Sequence, residues 1–406
     1  MRGSVITRSI CVCAILGATS PAWATLKQGF QPRPLNLGSF LVTPQLNLKL
    51  HYTDNVKARE SGIEGDLVTT ISPSLKVQKN IRDHEFELDT KLHANKHISN
   101  SDEDTVGGHI SLSSLLIAKR SFKIPLSLKY ESSHIERHQE TNIFSPKEPT
   151  RRQTTQFQGG FIYQPNRLRV EMIGHYQKRR YDNGAQENGV AVIRSDDDFN
   201  QAGLHTKVSY NLRNGATPFL AYKSHKASFE RGTHNGVDFS GNPRDHNYHS
   251  ILAGLEFEHD SLSGEIGLGH NGLYYDESSI DDLSTLELLA SLNWNPTQKS
   301  EFSLNYTRTA MEDSAVESAY VSNATTLNYG YEIRNDILLN AQAGLSNHDY
   351  ETGREDSLYH GQVAFDFILS PSMQAHANFT SRKRNSDAID AEYYQNLLMF
   401  GITGNL

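Results

Sequence analysis

From about residue 41 to its last residue, the chain alternates apolar and polar positions. In the first such segment the apolar residues are Leu46, Leu48, Leu50 and Tyr52, and the polar residues between them are Gln45, Asn47, Lys49 and His51. A period of two predicts β-strands with one apolar and one polar face. Its uniform repetition is typical of transmembrane barrels, in which apolar side chains meet lipid and polar ones line the lumen. We therefore predict an all-β fold, an antiparallel up-and-down transmembrane barrel of about eighteen strands.

Strands are predicted to begin near residues 41, 66, 84, 107, 122, 151, 168, 198, 216, 247, 262, 283, 300, 318, 336, 356, 373 and 392. Short connections, such as 164–167 with Pro165 and 212–215 with Asn214-Gly215, carry turn chemistry. Longer polar connections, around 134–150, 182–197 and 230–246, lie between them. Short periplasmic turns alternate with long extracellular loops in outer-membrane barrels, so we place both chain termini in the periplasm.

The first residues predict an export signal. Arg2 and Arg8 precede an apolar stretch, and Ala22-Trp23-Ala24 provides the small residues that a signal peptidase needs. We predict a signal peptide over 1–24, a short periplasmic arm over 25–40, an outer-membrane barrel over 41–406, and location in the outer membrane of a Gram-negative bacterium. The two cysteines lie inside the signal peptide, so the mature chain forms no disulfide.

Composition excludes several other classes. A mean hydropathy of -0.55 with 21% charged residues excludes a bundle of membrane helices, each of which needs about twenty consecutive apolar residues. A barrel tolerates low hydropathy because only every second residue meets lipid. The formal net charge of -8 becomes more negative when the signal peptide is removed, so nucleic acid is not expected as a partner.

Aromatic residues cluster near the predicted strand ends, where an amphipathic ring suits the membrane interface. Those expected beside the short turns are Tyr163, Tyr210, Phe219, Phe257, Trp294, Phe302 and Phe367. Those expected toward the long loops are Tyr52, Tyr130, Tyr275 and Tyr306.

Eighteen tilted strands close into a cylinder roughly 35 Å across, which side chains alone do not fill. The phase predicts a basic inner sector made of Lys123, Lys129, Arg169, His175, Arg179, His205, Lys207 and Arg382. It predicts an acidic inner sector made of Glu85, Glu87 and Asp89. Two interpretations stay open: the sectors select solutes by charge, or they simply keep a pore hydrated.

Catalysis has one weak candidate, His97-Ile98-Ser99, which resembles the His-x-Ser element of outer-membrane lipid hydrolases. The strand phase places both side chains on the lumen side, whereas a lipid substrate needs them outside. The eighteen histidines are dispersed in sequence and no metal or nucleotide motif is present. We therefore expect neither an enzyme nor a cofactor or metal site.

Two groups of residues carry a family resemblance. The first comprises Pro44-x-Leu46-x-Leu48, Tyr52-Thr53-Asp54-Asn55-Val56, Asp66-Leu67 and Ile71-Ser72-Pro73-x-Leu75; the second comprises Leu292-Asn293-Trp294-Asn295-Pro296-Thr297 and Phe302-x-Leu304. With these segments the chain resembles a family of bacterial outer-membrane barrels encoded with exopolysaccharide and capsule biosynthesis machinery. It departs from that pattern at Thr53, where the family often has an acid, and at Leu406, where barrels usually end in phenylalanine.

The resemblance implies a porin-like conduit that secretes an exopolysaccharide or capsular polysaccharide. It also implies a periplasmic export protein and an inner-membrane copolymerase as partners, with outer-membrane lipid and lipopolysaccharide around the wall. The alternatives are a general or sugar-uptake porin, a barrel enzyme acting on lipid, and a structural or adhesive barrel.

Overall fold

The computed structural model describes residues 33–139, 146–186, 188–212, 215–230, 233–234, 237–238, 244–278, 280–313, 318–389 and 391–405. The predicted signal peptide lies outside these residues, as does the first half of the predicted arm, residues 25–32. Among the described residues, no helix combines the length and the apolar character needed to cross a membrane.

The wall consists of eighteen long strands: β1 Phe40–Thr53, β2 Asp66–Ile81, β3 His84–His97, β4 Thr105–Lys119, β5 Phe122–His134, β6 Arg151–Tyr163, β7 Leu168–Tyr181, β8 Phe199–Tyr210, β9 Ala216–Phe229, β10 His246–His259, β11 Leu262–Tyr275, β12 Leu283–Thr297, β13 Ser300–Asp313, β14 Ser318–Arg334, β15 Ile337–Tyr350, β16 Glu355–Ser370, β17 Met373–Ser386 and β18 Tyr393–Asn405. Each begins within two residues of its predicted start. A short strand, Leu35–Leu37, pairs with the beginning of β1.

Every long strand pairs antiparallel with the next, and β18 pairs with β1 from Gln45–Asn405 to Thr53–Leu397. The sheet is therefore a closed barrel, as predicted. The turns at one end are short, and the longer connections lie at the other end together with the short helical turns. This arrangement confirms the predicted up-and-down order.

The two faces of the wall differ in the way that the alternation predicts. Leu48, Leu112 and Phe400 point outward and are 45%, 53% and 56% exposed. Asn47, between such positions, points inward and donates to Thr403 Oγ1 at 2.5 Å. A slip of one residue would turn every charged inner side chain toward lipid, so burial in the membrane fixes the register.

The motif around Asn55 secures the closure between the first and last strands. Asn55 is 1% exposed, and its Nδ2 donates to the carbonyl oxygen of Tyr394 at 2.9 Å. Its own carbonyl accepts from Gln395 Nε2 at 2.7 Å, and Asp54 accepts both the backbone and the side-chain N–H of Asn396 at 2.7 Å. These hydrogen bonds thus connect the loop between β1 and β2 to the extracellular end of β18.

Most of the aromatic residues predicted for the membrane interface point outward, and two do not. The strand registers turn Tyr163, Tyr210, Phe257, Trp294, Phe302, Phe367, Tyr52, Tyr130 and Tyr306 outward. Phe219 instead faces the lumen, 6% exposed beneath the Lys207 ammonium. Tyr275 also faces inward, and its neighbour Tyr274 points outward. Both expectations were wrong because each ring adjoins another apolar residue, so the local pattern does not fix its phase.

We expect charge on the outer face to destabilise the barrel. Leu128 is 49% exposed to the bilayer side, whereas Ser127 points into the lumen. Leu128→Lys should lower the free energy of unfolding by about 2 to 4 kcal/mol, as should the same change at Leu88, which points outward two strands away. Ser127→Lys should have a small effect because its ammonium meets water. Reversible urea unfolding in lipid vesicles measures the difference, and equal losses at Leu128 and Ser127 would contradict the phase.

Candidate functional site: the lumen and its extracellular mouth

All of the predicted lumen residues occupy inward positions in the ladders: Lys123, Lys129, Arg169, His175, Arg179, His205, Lys207, Arg382, Glu85, Glu87 and Asp89. Their location follows from strand phase alone. Whether they select solutes stays a prediction.

Several members of the predicted basic sector are neutralised by neighbours that local sequence does not reveal. Lys207 Nζ lies 2.6 Å from Glu256 Oε1 on β10 and 2.7 Å from Glu265 Oε1 on β11. Arg169 pairs with Glu171 at 2.6 Å on the same strand. These side chains contribute little net field to the lumen.

One further lysine of the basic sector and two of the three predicted acids have similar partners. Lys129 pairs with Glu131 on the same strand. Glu87 lies 3.2 Å from Lys76 Nζ, and Asp89 lies 2.6 Å from His109 Nε2. The wall therefore does not present one wholly basic sector and one wholly acidic sector.

Positive charge in the lumen also comes from inward residues outside the predicted basic sector. Lys49, Lys91, Arg152 and Lys223 all point inward. None of them has an ion-pair partner among the described residues. The phase rule places them inward as well, because each occupies an inward position in its predicted strand.

Histidines dispersed in sequence meet on the inner face of neighbouring strands. The His225 ring lies 6.3 Å from His175 and 6.1 Å from His246, and it stacks on Tyr248 at 4.7 Å. Within the described part of the chain, no group of three or more His, Cys, Asp or Glu side chains is arranged to hold a metal ion. These histidines and Tyr248 therefore contribute aromatic and hydrogen-bonding surface to the lumen.

The extracellular loop between β5 and β6 reaches across the lumen to β17 and β18. The carbonyl oxygen of His138 accepts from Arg384 at 3.1 Å and from the Tyr393 hydroxyl at 3.4 Å. Arg382 Nη1 lies 3.0 Å from His138 Nδ1. All three wall residues point inward, so this segment lies inside the barrel and narrows its mouth.

A second narrowing comes from the described end of the β13–β14 hairpin, residues 309–313 and 318–320, which we call the β13–β14 tip. Pairing between β12 and β13 ends at Leu288–Arg308. Beyond that pair, the Ala310 N–H donates to Asn271 Oδ1 on β11 at 3.0 Å. Ala310 and Ala319 pack with Tyr248 and Leu273, which belong to the inner face of β10 and β11. The hairpin tip therefore leans into the mouth.

Arg244 joins three extracellular elements at this end. It is 1% exposed, and its guanidinium lies 3.1 Å from Asp197 in the β7–β8 loop and 3.7 Å from Glu312 on β13. Its Cζ lies 4.5 Å from the ring centroid of Phe229. A buried cation with two carboxylates fixes the loops relative to the hairpin.

Two ionisable groups of these loops have displaced pKa values. Burial, together with the Arg382 and Arg384 guanidiniums, holds the pKa of His138 well below its ordinary value of 6.5. Burial raises the pKa of the Asp198 carboxyl to about 6, although the Tyr181 N–H donates to it at 2.7 Å. His138 is therefore neutral when docked at neutral pH and accepts the hydrogen bond from Arg382.

The comparisons agree with this architecture. The model of the family described as "Putative beta-barrel porin 2" matches residues 28–406. The chain belongs to this beta-barrel porin family. No curated protein is significantly similar to it in sequence.

Three solved structures illustrate what the porin is similar to. Pseudomonas aeruginosa OpdO is 12% identical, with 90% of this chain and 97% of that chain covered and a TM-score of 0.49. Acinetobacter baumannii OccAB3 is 13% identical, with 90% and 99% covered and a TM-score of 0.45. The FrpB iron transporter from Neisseria meningitidis is 8% identical, with a TM-score of 0.49; 85% of this chain is covered, which spans 62% of that transporter.

A porin-like barrel of this type implies the outer membrane of a Gram-negative bacterium. An apolar groove of about 970 Å³ lies on the wall, lined by outward residues that include Trp294, Phe302 and Leu327. It belongs to the contact with the bilayer. The polar lumen and its narrowed mouth are therefore the candidate functional site.

The two residues of the His-x-Ser element, His97 and Ser99, each contact an aspartate rather than each other. His97 Nδ1 lies 3.4 Å from Asp104 Oδ1. Ser99 lies in the following loop, where its backbone N–H donates to Asp66 Oδ1 at 3.1 Å. Both residues are thus engaged in shaping the loop between β3 and β4.

We expect Arg244→Leu to loosen the mouth. The change leaves the carboxylate of Glu312 buried without this cation, which should lower the free energy of unfolding by about 3 kcal/mol. The matched control is Arg120→Leu in an exposed periplasmic turn, expected to cost less than about 0.5 kcal/mol. Urea unfolding in lipid vesicles compares the two, and equal effects would contradict the proposed role of Arg244.

We expect acid to release the β5–β6 loop. A free histidine takes up a proton more readily than docked His138, so docking is fully stable above about pH 6.5 and weakens as the pH falls below it. Channel conductance in planar bilayers should therefore rise as the pH is lowered, and His138→Gln should abolish that rise. Protonation of Asp198 has the opposite effect on stability. Because the pKa of this carboxyl is raised, taking up a proton stabilises its loop. An undiminished rise in the His138→Gln variant would refute the mechanism.

Proposed function

We propose that this porin is a passive channel through which small hydrophilic solutes cross the outer membrane. The observation that carries the proposal is the combination of a polar inner wall with a mouth narrowed by folded extracellular elements. A barrel of this strand number is roughly 35 Å wide between backbones. The contacts of His138 with β17 and β18, and of the β13–β14 tip with β10 and β11, reduce the width available to a solute.

The wall needs no chemical step to perform this task. Inward amide, hydroxyl and charged groups replace part of the hydration shell of a passing solute. Because the path is narrowed, passage depends on the size and charge of the solute. The cations Lys49, Lys91, Arg152 and Lys223, which have no ion-pair partner among the described residues, supply a positive inner potential that favours anions over cations.

Polysaccharide export is a second candidate, supported by one sector of the wall. Ser291 donates to Asn305 at 2.8 Å, Asn328 donates to Ser303 at 2.9 Å, and Gln342 donates to Asn328 at 2.8 Å. This neutral run of hydroxyl and amide groups suits the hydroxyls of a sugar chain. Export would require the mouth to open and a periplasmic export protein to deliver the chain.

Vesicle swelling separates the two candidates. Purified porin in lipid vesicles should admit glucose and progressively exclude longer neutral oligosaccharides, because the mouth limits solute size. The matched variant Arg384→Gln, which removes a contact to the His138 carbonyl, should raise the size limit. Absence of glucose flux in the wild-type protein would overturn the proposed channel.

A gene deletion addresses the direction of transport. Uptake predicts slower growth on a limiting small solute with normal surface polysaccharide. Export predicts loss of surface polysaccharide with normal precursor synthesis. Loss of polysaccharide without any growth defect would overturn the uptake proposal in favour of export.

A further inference from the structure

We propose that the inner wall of β5–β7 holds a binding site for a small oxyanion, such as the carboxylate or phosphate group of a transported solute. The site comprises Ser133, Arg152, Gln177 and Arg179, which we call the guanidinium patch. The inference rests on the proposed channel function and names its preferred solute class.

Ladder register brings these side chains together on the lumen side. Ser133 on β5 is opposite Arg152 on β6. Arg152 is opposite Tyr181 on β7, and Thr154 is opposite Arg179, so the two arginines are diagonal neighbours. Diagonal positions in an antiparallel sheet are within reach of long side chains. The patch lies at the extracellular ends of these strands, just below the mouth.

One polar atom of each residue in the patch lacks a partner within the described residues, although Arg179 Nη1 donates to the Tyr181 hydroxyl at 3.4 Å. Arg152 Nε, Arg179 Nε, Gln177 Nε2 and Ser133 Oγ are all buried without a hydrogen bond. Gln177 is only 2% exposed, and its Oε1 accepts from Gln156 Nε2 at 2.9 Å. Because that bond fixes the orientation of the amide, its NH₂ group is left as a donor toward the patch. Buried donors without acceptors are costly, and an anion supplies the missing acceptors.

The charges of the patch also favour an anionic ligand. Arg152 and Arg179 are two cations side by side, and neither forms an ion pair among the described residues. The acid nearest along β5, Glu131, is paired with Lys129, and its carboxylate also attracts Arg152 from beyond ion-pair distance. Arg179 also stacks on Phe199, with 4.9 Å between Cζ and the ring centroid, which holds its planar group in place. Guanidinium groups match the two oxygens of a carboxylate or phosphate, so an oxyanion is the ligand class that fits.

The test uses purified full-length porin in planar bilayers, with inorganic phosphate and acetate as probes of chloride conductance. The double variant Arg152→Gln/Arg179→Gln removes the patch. The matched control, Lys49→Gln/Lys91→Gln, removes the same charge from inward lysines on β1 and β3. Glucose flux into vesicles reports folding and an open channel in every variant.

We expect phosphate and acetate to block the wild-type channel at saturable concentrations. The concentration for half-block should rise at least about tenfold in the arginine variant and less than about twofold in the lysine control. Arg152→Lys/Arg179→Lys keeps the charge but loses the planar fork, so it should give an intermediate rise. This variant also serves if the glutamine variant does not fold.

Equal shifts in the arginine and lysine variants would overturn the site, because they would indicate a diffuse field. A wild-type channel that passes glucose but is not blocked by either anion would overturn the site and leave the channel function intact. A wild-type protein that passes no glucose would overturn both.

Discussion

The closed backbone ladder is the constraint on which the rest of this structure depends. In hydrocarbon no water is available, so each unpaired N–H or C=O group costs several kcal/mol. Pairing of β18 with β1 removes the two sheet edges that an open sheet would leave in the membrane. Asn55 and Asp54 then bind the top of β18 through Gln395 and Asn396. Once the barrel is closed, its lipid-facing side must be apolar, whereas its lumen-facing side can be polar and hydrated.

Because the inside is wet, charged side chains are tolerated there, and their effect depends on neighbours. Lys207 is neutralised by Glu256 and Glu265 on other strands, whereas Arg152 has no such partner in the part of the chain that the structure describes. The lumen therefore has a weaker and differently placed positive potential than a list of basic residues indicates. Any charge selection comes from the cations that remain unpaired.

The width of the path is set by the loops. His138 contacts β17 and β18 across the lumen, and the β13–β14 tip packs on the inner face of β10 and β11. These elements lie beyond the lipid and need specific partners, which explains the buried arginine at 244. The barrel is a frame on which the extracellular elements shape the mouth, as is common for loops on stable scaffolds.

The sequence by itself determined the strand positions, the closed-barrel class and the inward position of residues such as Lys129 and Arg382, because a period of two is a local property that lipid on one side enforces. It misplaced Phe219 and Tyr275, where adjacent apolar residues leave the phase ambiguous. Only the tertiary structure decided which charges are neutralised and that the mouth is narrowed. Those outcomes depend on the stagger between neighbouring strands and on loop packing, and neither has a periodic signature along the chain.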